Sequence, residues 1–432
     1  MSQTPVTPIR DSKQSQHQAR NFWALAGDGI FFNFGSAFFE ASSLIPAYVS
    51  QLTSSATIIG LITTIRNLGW LFPQLLVAGM VERLPLKKPM VLVSSAMMRL
   101  AGIFIAFSAW WWGGRSPAAA LTSFLIGFVV YSFADGITGV PWTDIVGKTI
   151  NARQRGRLFG TTSTIGGVLA FGAGFLINRL LDHPRLPFPH NFAAVFAIGA
   201  LLITCSYISF ATLIEPVGTV STHQASMGAY LAKIPRLLRG NPAFARLAAV
   251  QFLLRCCYLG LPFYFVYGQS RLGFSASFAG ILVSAQMSGS ILASILWGYL
   301  SDHVGNSWVV RCTALTTVLS PLLAIVAGVL GGGSWFAVAV YLLLYACLGA
   351  TFSGLWIGFT NYLLEIAPEE ERPSYIGLMN TLMAPATFLP LLGGVIVTYL
   401  PHVWLFGATA ALAGAGLLLS ASLPEPRAKR QS

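Results

Sequence analysis

Gly298-Tyr299-Leu300-Ser301-Asp302-His303-Val304-Gly305-Asn306 is a short polar turn between two apolar runs, 278–300 and 308–330. Each run exceeds the roughly eighteen residues that a helix needs to cross a hydrocarbon core about 30 Å thick. In that solvent each backbone amide must find its partner within the segment, so both runs read as helices and the turn as a loop at a membrane surface. An earlier turn, Glu82-Arg83-Leu84-Pro85-Leu86-Lys87-Lys88, has the same acid-first character and lies 220 residues before it, from Glu82 to Asp302. A second pair of loops repeats in the same way. Arg153-Gln154-Arg155-Gly156-Arg157-Leu158-Phe159-Gly160 stands against Glu370-Glu371-Arg372-Pro373-Ser374-Tyr375-Ile376-Gly377, with Arg155 to Arg372 and Gly160 to Gly377 both 217 apart. Offsets close to half the chain predict two related halves.

Composition supports the same solvent. The chain has 432 residues, 55% hydrophobic and 9% charged, against about 25% charged in an average soluble protein. Apolar spans are predicted over 22–49, 57–81, 90–112, 118–146, 158–180 and 192–213, then over 244–267, 278–300, 308–330, 335–366, 374–400 and 403–423. This predicts an all-α polytopic membrane protein with twelve transmembrane helices. Its expected parts are a tail over 1–21, a six-helix bundle over 22–214, a linker over 215–241, a second bundle over 242–423 and a tail over 424–432.

The net charge of +12 is explained by position. Arg10, Lys13, Arg20, Arg83, Lys87, Lys88, Lys148, Arg153, Arg155, Arg157, Lys233, Arg236, Arg239, Arg427, Lys429 and Arg430 fall in alternate loops and the tails, whereas the opposite loops hold only Arg115, Arg179, Arg185 and Arg271. The positive-inside rule then puts both termini in the cytoplasm, in a multi-pass protein of the cell (inner) membrane. No nucleic-acid partner is implied, and the basic loops face anionic lipid. Cys205, Cys256, Cys257, Cys312 and Cys347 have no metal-type spacing and read as packing residues. No phosphate loop, metal cluster or nucleophile-base pair is visible, so neither an enzyme nor a cofactor is expected. The polar first twenty residues carry no removable signal peptide, which leaves the first span as the insertion signal.

The turn at Gly298–Asn306 resembles the cytoplasmic signature of the major facilitator superfamily: glycine, three residues, aspartate, a base, a spacer, glycine and further bases. In the earlier copy Ala78 replaces the first glycine, Glu82 the aspartate and Pro85 the second glycine, while Arg83, Lys87 and Lys88 keep the basic character. In the later copy Asp302 is kept, but His303, Asn306 and Ser307 make a weak basic end. The resemblance in topology covers essentially the whole chain and implies two pseudo-symmetric six-helix bundles. Glu82, Arg83, Arg155, Asp302 and Arg372 are then a candidate gate, because acids and bases at helix ends can pair across bundles and with helix termini.

Ionisable groups inside apolar helices are costly and are commonly functional or paired. Asp28, Glu40, Arg66, Arg99, Asp135 and Arg255 are of this kind. Helical spacing joins Asn33, Ser36, Glu40 and Ser43; Thr63, Asn67, Trp70 and Gln74 beside Arg66; Tyr131, Asp135, Thr138 and Trp142; and Gln251, Arg255 and Tyr258. The resemblance implies a cavity lined by spans 1, 4, 7 and 10. The substrate-site candidates are therefore Asn33, Glu40, Arg66, Asp135, Gln251, Arg255 and Tyr258, with Gln286 from span 8 and Trp356 beside Tyr345 and Phe352 from span 10. The competing reading pairs Asp135 with Arg99 or Arg66 inside the first bundle, and for Arg99 a structural role is expected.

Small-residue stripes, Gly166-Ala170-Gly174 and Ala285-Gly289-Ala293, allow close helix approach. Together these features predict a monomeric secondary transporter of a small organic solute. Histidines are confined to loops and span ends, so a carboxylate would carry any coupled proton. An efflux pump for amphiphilic compounds is the alternative, weakened because span 5 lacks the family's glycine-proline pair. A receptor or assembly factor that keeps the fold without transport is a third reading.

Overall fold

The computed structural model describes residues 9–81, 83–217, 238–368 and 372–426. Glu82, most of the expected linker (218–237), Glu370, Glu371 and the last residues of the C-terminal tail lie outside the described residues. Among those described, the regular elements are helical. They are α1 (Ile9–Ser36), α2 (Leu44–Val49), α3 (Ala56–Val81), α4 (Lys88–Trp112), α5 (Pro117–Thr149), α6 (Ala152–Leu181) and α7 (His190–Ala211). After residue 237 come α8 (Pro242–Arg255), α9 (Phe263–Leu272), α10 (Phe278–His303), α11 (Asn306–Leu330), α12 (Trp335–Ile366), α13 (Arg372–Met383), α14 (Leu389–Tyr399) and α15 (His402–Ser420). Ten described segments are long and apolar enough to cross a membrane. The chain is an integral, multi-pass membrane protein.

Three predicted spans are broken. Span 1 stops at Ser36, passes through a 3₁₀ turn and an extended Glu40, and restarts as α2; span 7 breaks between Arg255 and Phe263; span 11 breaks over 384–388. Proline marks each restart: Pro46 near the start of α2, Pro262 just before α9 and Pro390 in the first turn of α14. Proline lacks an amide proton and has a fixed φ, so it suits a helical first turn, where that proton has no partner.

Several neighbour relations recur in the two halves. In the first, α4 packs on α5 and α7, α3 on α5, and α1 on α6 and α7. In the second, α11 packs on α12 and α15, α10 on α12, and α8 on α13 and α15. The halves meet mainly through α6 against α10 and α3 against α14, with α2 touching α9. The short α2 is anchored by Tyr48, fully buried among Phe124, Phe192 and Phe196 with ring centroids 5.2–5.3 Å away.

The end carrying the basic loops holds a matched pair of latches. Glu215 accepts hydrogen bonds from the amides of Lys87 (2.9 Å) and Lys88 (2.7 Å), capping α4, while Glu425 accepts from the amide (3.1 Å) and hydroxyl (2.7 Å) of Ser307 at the start of α11. Cations then close the ends of α7 and α15. Lys88 Nζ and Arg20 donate to the carbonyls of Ala211, Leu213 and Thr212, and Arg311 and Arg246 donate to those of Ser420, Ala421, Leu423 and Ser422. Helix starts favour anions and helix ends favour cations, because their terminal amides and carbonyls lack helical partners. Gly305 has φ +120°, and an added Cβ would meet the Glu425 carboxyl at 2.3 Å, so glycine is required beside this latch.

Candidate functional site

Glu40 sits at the break of span 1, where the chain is extended. Its carboxylate accepts from the amides of Ser42 (2.9 Å) and Ser43 (2.7 Å) and from the Ser43 hydroxyl (2.9 Å), as an anion does at a helix start. The cap faces the other half of the chain. Ser42 Oγ donates to Gln286 Oε1 on α10 at 2.8 Å, Gln286 Nε2 lies 3.5 Å from Glu40, and the Tyr345 hydroxyl on α12 donates to the Ser42 carbonyl at 3.3 Å. Glu40, Gln286 and Tyr345 thus converge, joined by Ser42, which the residue pattern did not single out.

Further bonds tie the same end of the molecule, opposite the basic loops. Ser50 Oγ reaches Gln269, Asn178 Nδ2 donates to the Ser277 carbonyl at 2.9 Å, and Ser284 Oγ donates to the Phe171 carbonyl at 2.7 Å. Glycine permits the approach: a Cβ on Gly280 would lie 2.4 Å from Gly174 O and Asn178 N, and one on Gly60 would lie 2.1 Å from Pro390 O. Towards the basic end, a Cβ on Gly160 of α6, Gly298 of α10 or Gly377 of α13 would meet nothing within 4 Å.

Arg66, Asp135, Arg99 and Asp28 form two groups. Arg66 pairs with Asp135 at 2.8 Å, with Asp135 buried and the Arg66 side chain 27% exposed. The Arg66 guanidinium lies 5.9 Å from the Tyr131 ring. Arg99 is buried and donates to the carbonyls of Ile203 (3.1 Å) and Ser95 (3.0 Å) and to Ser206 Oγ (3.2 Å). Ser206 in turn donates to Asp28, whose other oxygen accepts from Trp142 Nε1 at 2.8 Å. The expected common face of Asp135, Thr138 and Trp142 is therefore divided. Trp142 belongs to the Asp28 group, and Thr138 bonds Ser94 on α4 at 2.8 Å. Asn33 packs against Gly166 of α6, its amide 3.4 Å from the Thr162 carbonyl.

In the second half Arg255 closes α8 immediately before the break. Its Nη1 is 3.4 Å from the Tyr258 hydroxyl and its guanidinium 5.9 Å from that ring, which leans on Phe352 at 6.4 Å. Its Nε is buried without a hydrogen-bond partner, as is Gln251 Oε1 one turn earlier. No ion pair reaches Arg255 among the described residues. Trp356, one turn beyond Phe352, is 73% exposed. Tyr345, Phe352 and Trp356 share one helical face, and Tyr345 turns that face towards the first half.

At the basic end Arg155 donates to the carbonyls of Ile150 (3.0 Å) and Gly147 (2.6 Å), closing α5. Arg83 is exposed in its turn, Asp302 is exposed in the last turn of α10 and Arg372 opens α13. The bases of the first turn act inside their own half: Lys87 pairs with Asp144, and Lys148 pairs with Asp144 at 3.1 Å and Glu215 at 3.3 Å. Asn306 and Ser307, expected as a weak basic end, are instead buried. Asp144, Glu215 and Glu425 were not anticipated, although 213–216 (Leu-Ile-Glu-Pro) and 423–426 (Leu-Pro-Glu-Pro) repeat visibly. No group of three His, Cys, Asp or Glu side chains able to hold a metal ion occurs among the described residues.

Residues 266–432 match the family model described as Major Facilitator Superfamily. Uncharacterized proteins of Mycobacterium tuberculosis and Mycobacterium bovis are each 24% identical over 401 residues, covering 87% of this chain and 74% of theirs. Among solved structures, the chain is similar to the nucleoside transporter NupG (TM-score 0.71, 14% identity, 93% of this chain and 99% of that one). It is also similar to a POT family transporter in complex with a thioalcohol-conjugated peptide (0.69, 14%, 93% and 95%). A third likeness is to a bacterial homologue of the iron transporter ferroportin in an inward-facing state (0.66, 14%, 96% and 99%). These likenesses are of fold. The family match includes the Gly298–Asn306 turn, one of the loops that carry the resemblance.

Proposed function

We propose that this chain, a transporter of the major facilitator type and not an enzyme, is a secondary carrier that moves a small organic solute across the cell membrane by alternating access. Twelve spans in two bundles, 22–214 and 242–423, rock about the seam formed by α6 with α10 and α3 with α14. Both termini are cytoplasmic, so the basic end is the inner end.

The observation that carries this reading is the asymmetry of the seam. Ser42 with Gln286, Ser50 with Gln269 and Asn178 with Ser277 join the halves at the outer end, whereas Gly160, Gly298 and Gly377 have open space at the inner end. An outer end sealed by a few hydrogen bonds and glycine contacts is a gate that can part. Its closure excludes the outside while the solute path, near Glu40, Gln286, Arg255, Tyr258 and Trp356, opens inward. Glu40 is the carboxylate placed to couple a proton to this gate, since neutralising it would weaken its hold on the α2 start.

Spin labels replacing Ser50 and Gln269 at the outer end and Phe159 and Tyr299 at the inner end, in protein freed of its cysteines, test the reading. On solute binding or a change of pH the two distances should move in opposite senses. Two distances that never change across a solute panel, with no solute exchange in vesicles, would leave only a rigid receptor-like protein.

A further inference from the structure

We infer that Arg255 anchors a binding site for a small organic carboxylate, held by the guanidinium with its planar or apolar body against Tyr258, Phe352 and Trp356. This rests on the carrier reading and adds the chemical class of its solute. An arginine keeps its proton at any pH the protein meets, so a guanidinium within the membrane needs a counter-charge. The three acids singled out inside the spans, Asp28, Glu40 and Asp135, are engaged elsewhere. Asp135 holds Arg66, Asp28 accepts from Ser206 and Trp142, and Glu40 caps α2.

What remains for Arg255 is one long contact with the Tyr258 hydroxyl and the carbonyl end of its own helix. That helix end supplies about half an elementary charge at most. Nε is buried and unmatched, and a carboxylate meets this need because its two oxygens fit the edge of the guanidinium fork. Gln251, one turn earlier, has a buried oxygen without a donor and offers an acceptor to a hydroxyl on the same solute. The aromatic wall sets the rest of the class. Tyr258 lies against both the guanidinium and Phe352, and the exposed Trp356 extends this surface towards the inner end.

The experiment uses the full chain in lipid nanodiscs and reads the thermal unfolding midpoint. The probes are benzoate, indole-3-acetate, benzamide, benzylamine and inorganic phosphate. At least one of the two carboxylates should raise the midpoint, and benzamide and benzylamine should not. Arg255→Gln should remove the effect, and Arg255→Lys should weaken carboxylate binding by about tenfold or more, the size of one lost charge-assisted hydrogen bond. Because Arg255→Lys keeps the charge, it serves as the readout if Arg255→Gln fails to fold. An equal response to benzamide, a response to phosphate alone, no response to any anion, or full carboxylate binding in Arg255→Gln would each overturn the inference. Exchange of a neutral solute at the parental rate by Arg255→Gln would sink this site while leaving the carrier intact. Spin-label distances fixed under all probes, with a carboxylate shift that needs Arg255, would do the reverse.

Discussion

The Ser42 hydroxyl donates to the side-chain oxygen of Gln286 at 2.8 Å, linking the break in span 1 to α10 in the other half of the chain. Both side chains are buried. The bond lies where the proposed gate must part, so its loss falls on one conformational state more than on the fold. A buried neutral hydrogen bond contributes about 1 kcal/mol net, roughly a fivefold change in a two-state equilibrium. Ser42→Ala should therefore raise the population with separated outer ends about fivefold, read as a broadened distance distribution between labels at positions 50 and 269. A lowered unfolding midpoint with an unchanged distribution would make the contact merely structural.

Gly280 tests the same gate through backbone contact. A Cβ there meets Gly174 O and Asn178 N at 2.4 Å, and backbone atoms cannot swing aside as a flexible side chain can. Gly280→Ala should wedge α10 from α6 at the outer end. A cysteine at position 284, in protein lacking its native cysteines, should then react faster with an impermeant maleimide added from outside. Unchanged labelling would argue that this approach does not control access.

Asp135 is buried and depends on Arg66. Removing one partner of a buried ion pair commonly costs about 3–5 kcal/mol, whereas replacing both with apolar residues is often neutral. Partial exposure of Arg66 places the expected cost at the lower end. Arg66→Gln should lower the thermal midpoint in detergent, and Arg66→Met combined with Asp135→Leu should recover most of the loss. Parental stability of the single variant would show that the pair adds little.

Arg99 serves three oxygen acceptors, the carbonyls of Ile203 and Ser95 and the hydroxyl of Ser206. Glutamine has two donors where arginine has five, and each buried acceptor left unmet costs about 1–3 kcal/mol. Arg99→Gln should reduce the monodisperse fraction in size-exclusion chromatography while transport per folded molecule stays at the parental value. Normal yield with lost transport would move Arg99 into the solute path.

The amino-acid sequence by itself determined the solvent and the helical class, and its loops carried the resemblance to the major facilitator superfamily. Those properties follow from apolar runs longer than a bilayer, from charges confined to alternate loops and from two turns repeated about half a chain apart, all of which can be read along the chain without knowing a single contact. The breaks had a local signal too, in Pro46, Pro262 and Pro390, but hydropathy averages over a window and passes across them. Only the tertiary structure decided which acid serves which base. Asp135 takes Arg66 rather than Arg99, Trp142 turns to Asp28, and Glu40 binds backbone amides three residues away or fewer, leaving Arg255 with no carboxylate among the described residues. Spacing on one helix places a side chain on a face, whereas its partner depends on how neighbouring helices are rotated and how closely they approach. That rotation and approach are set by contacts such as Gly280 on Gly174, which join residues more than a hundred positions apart.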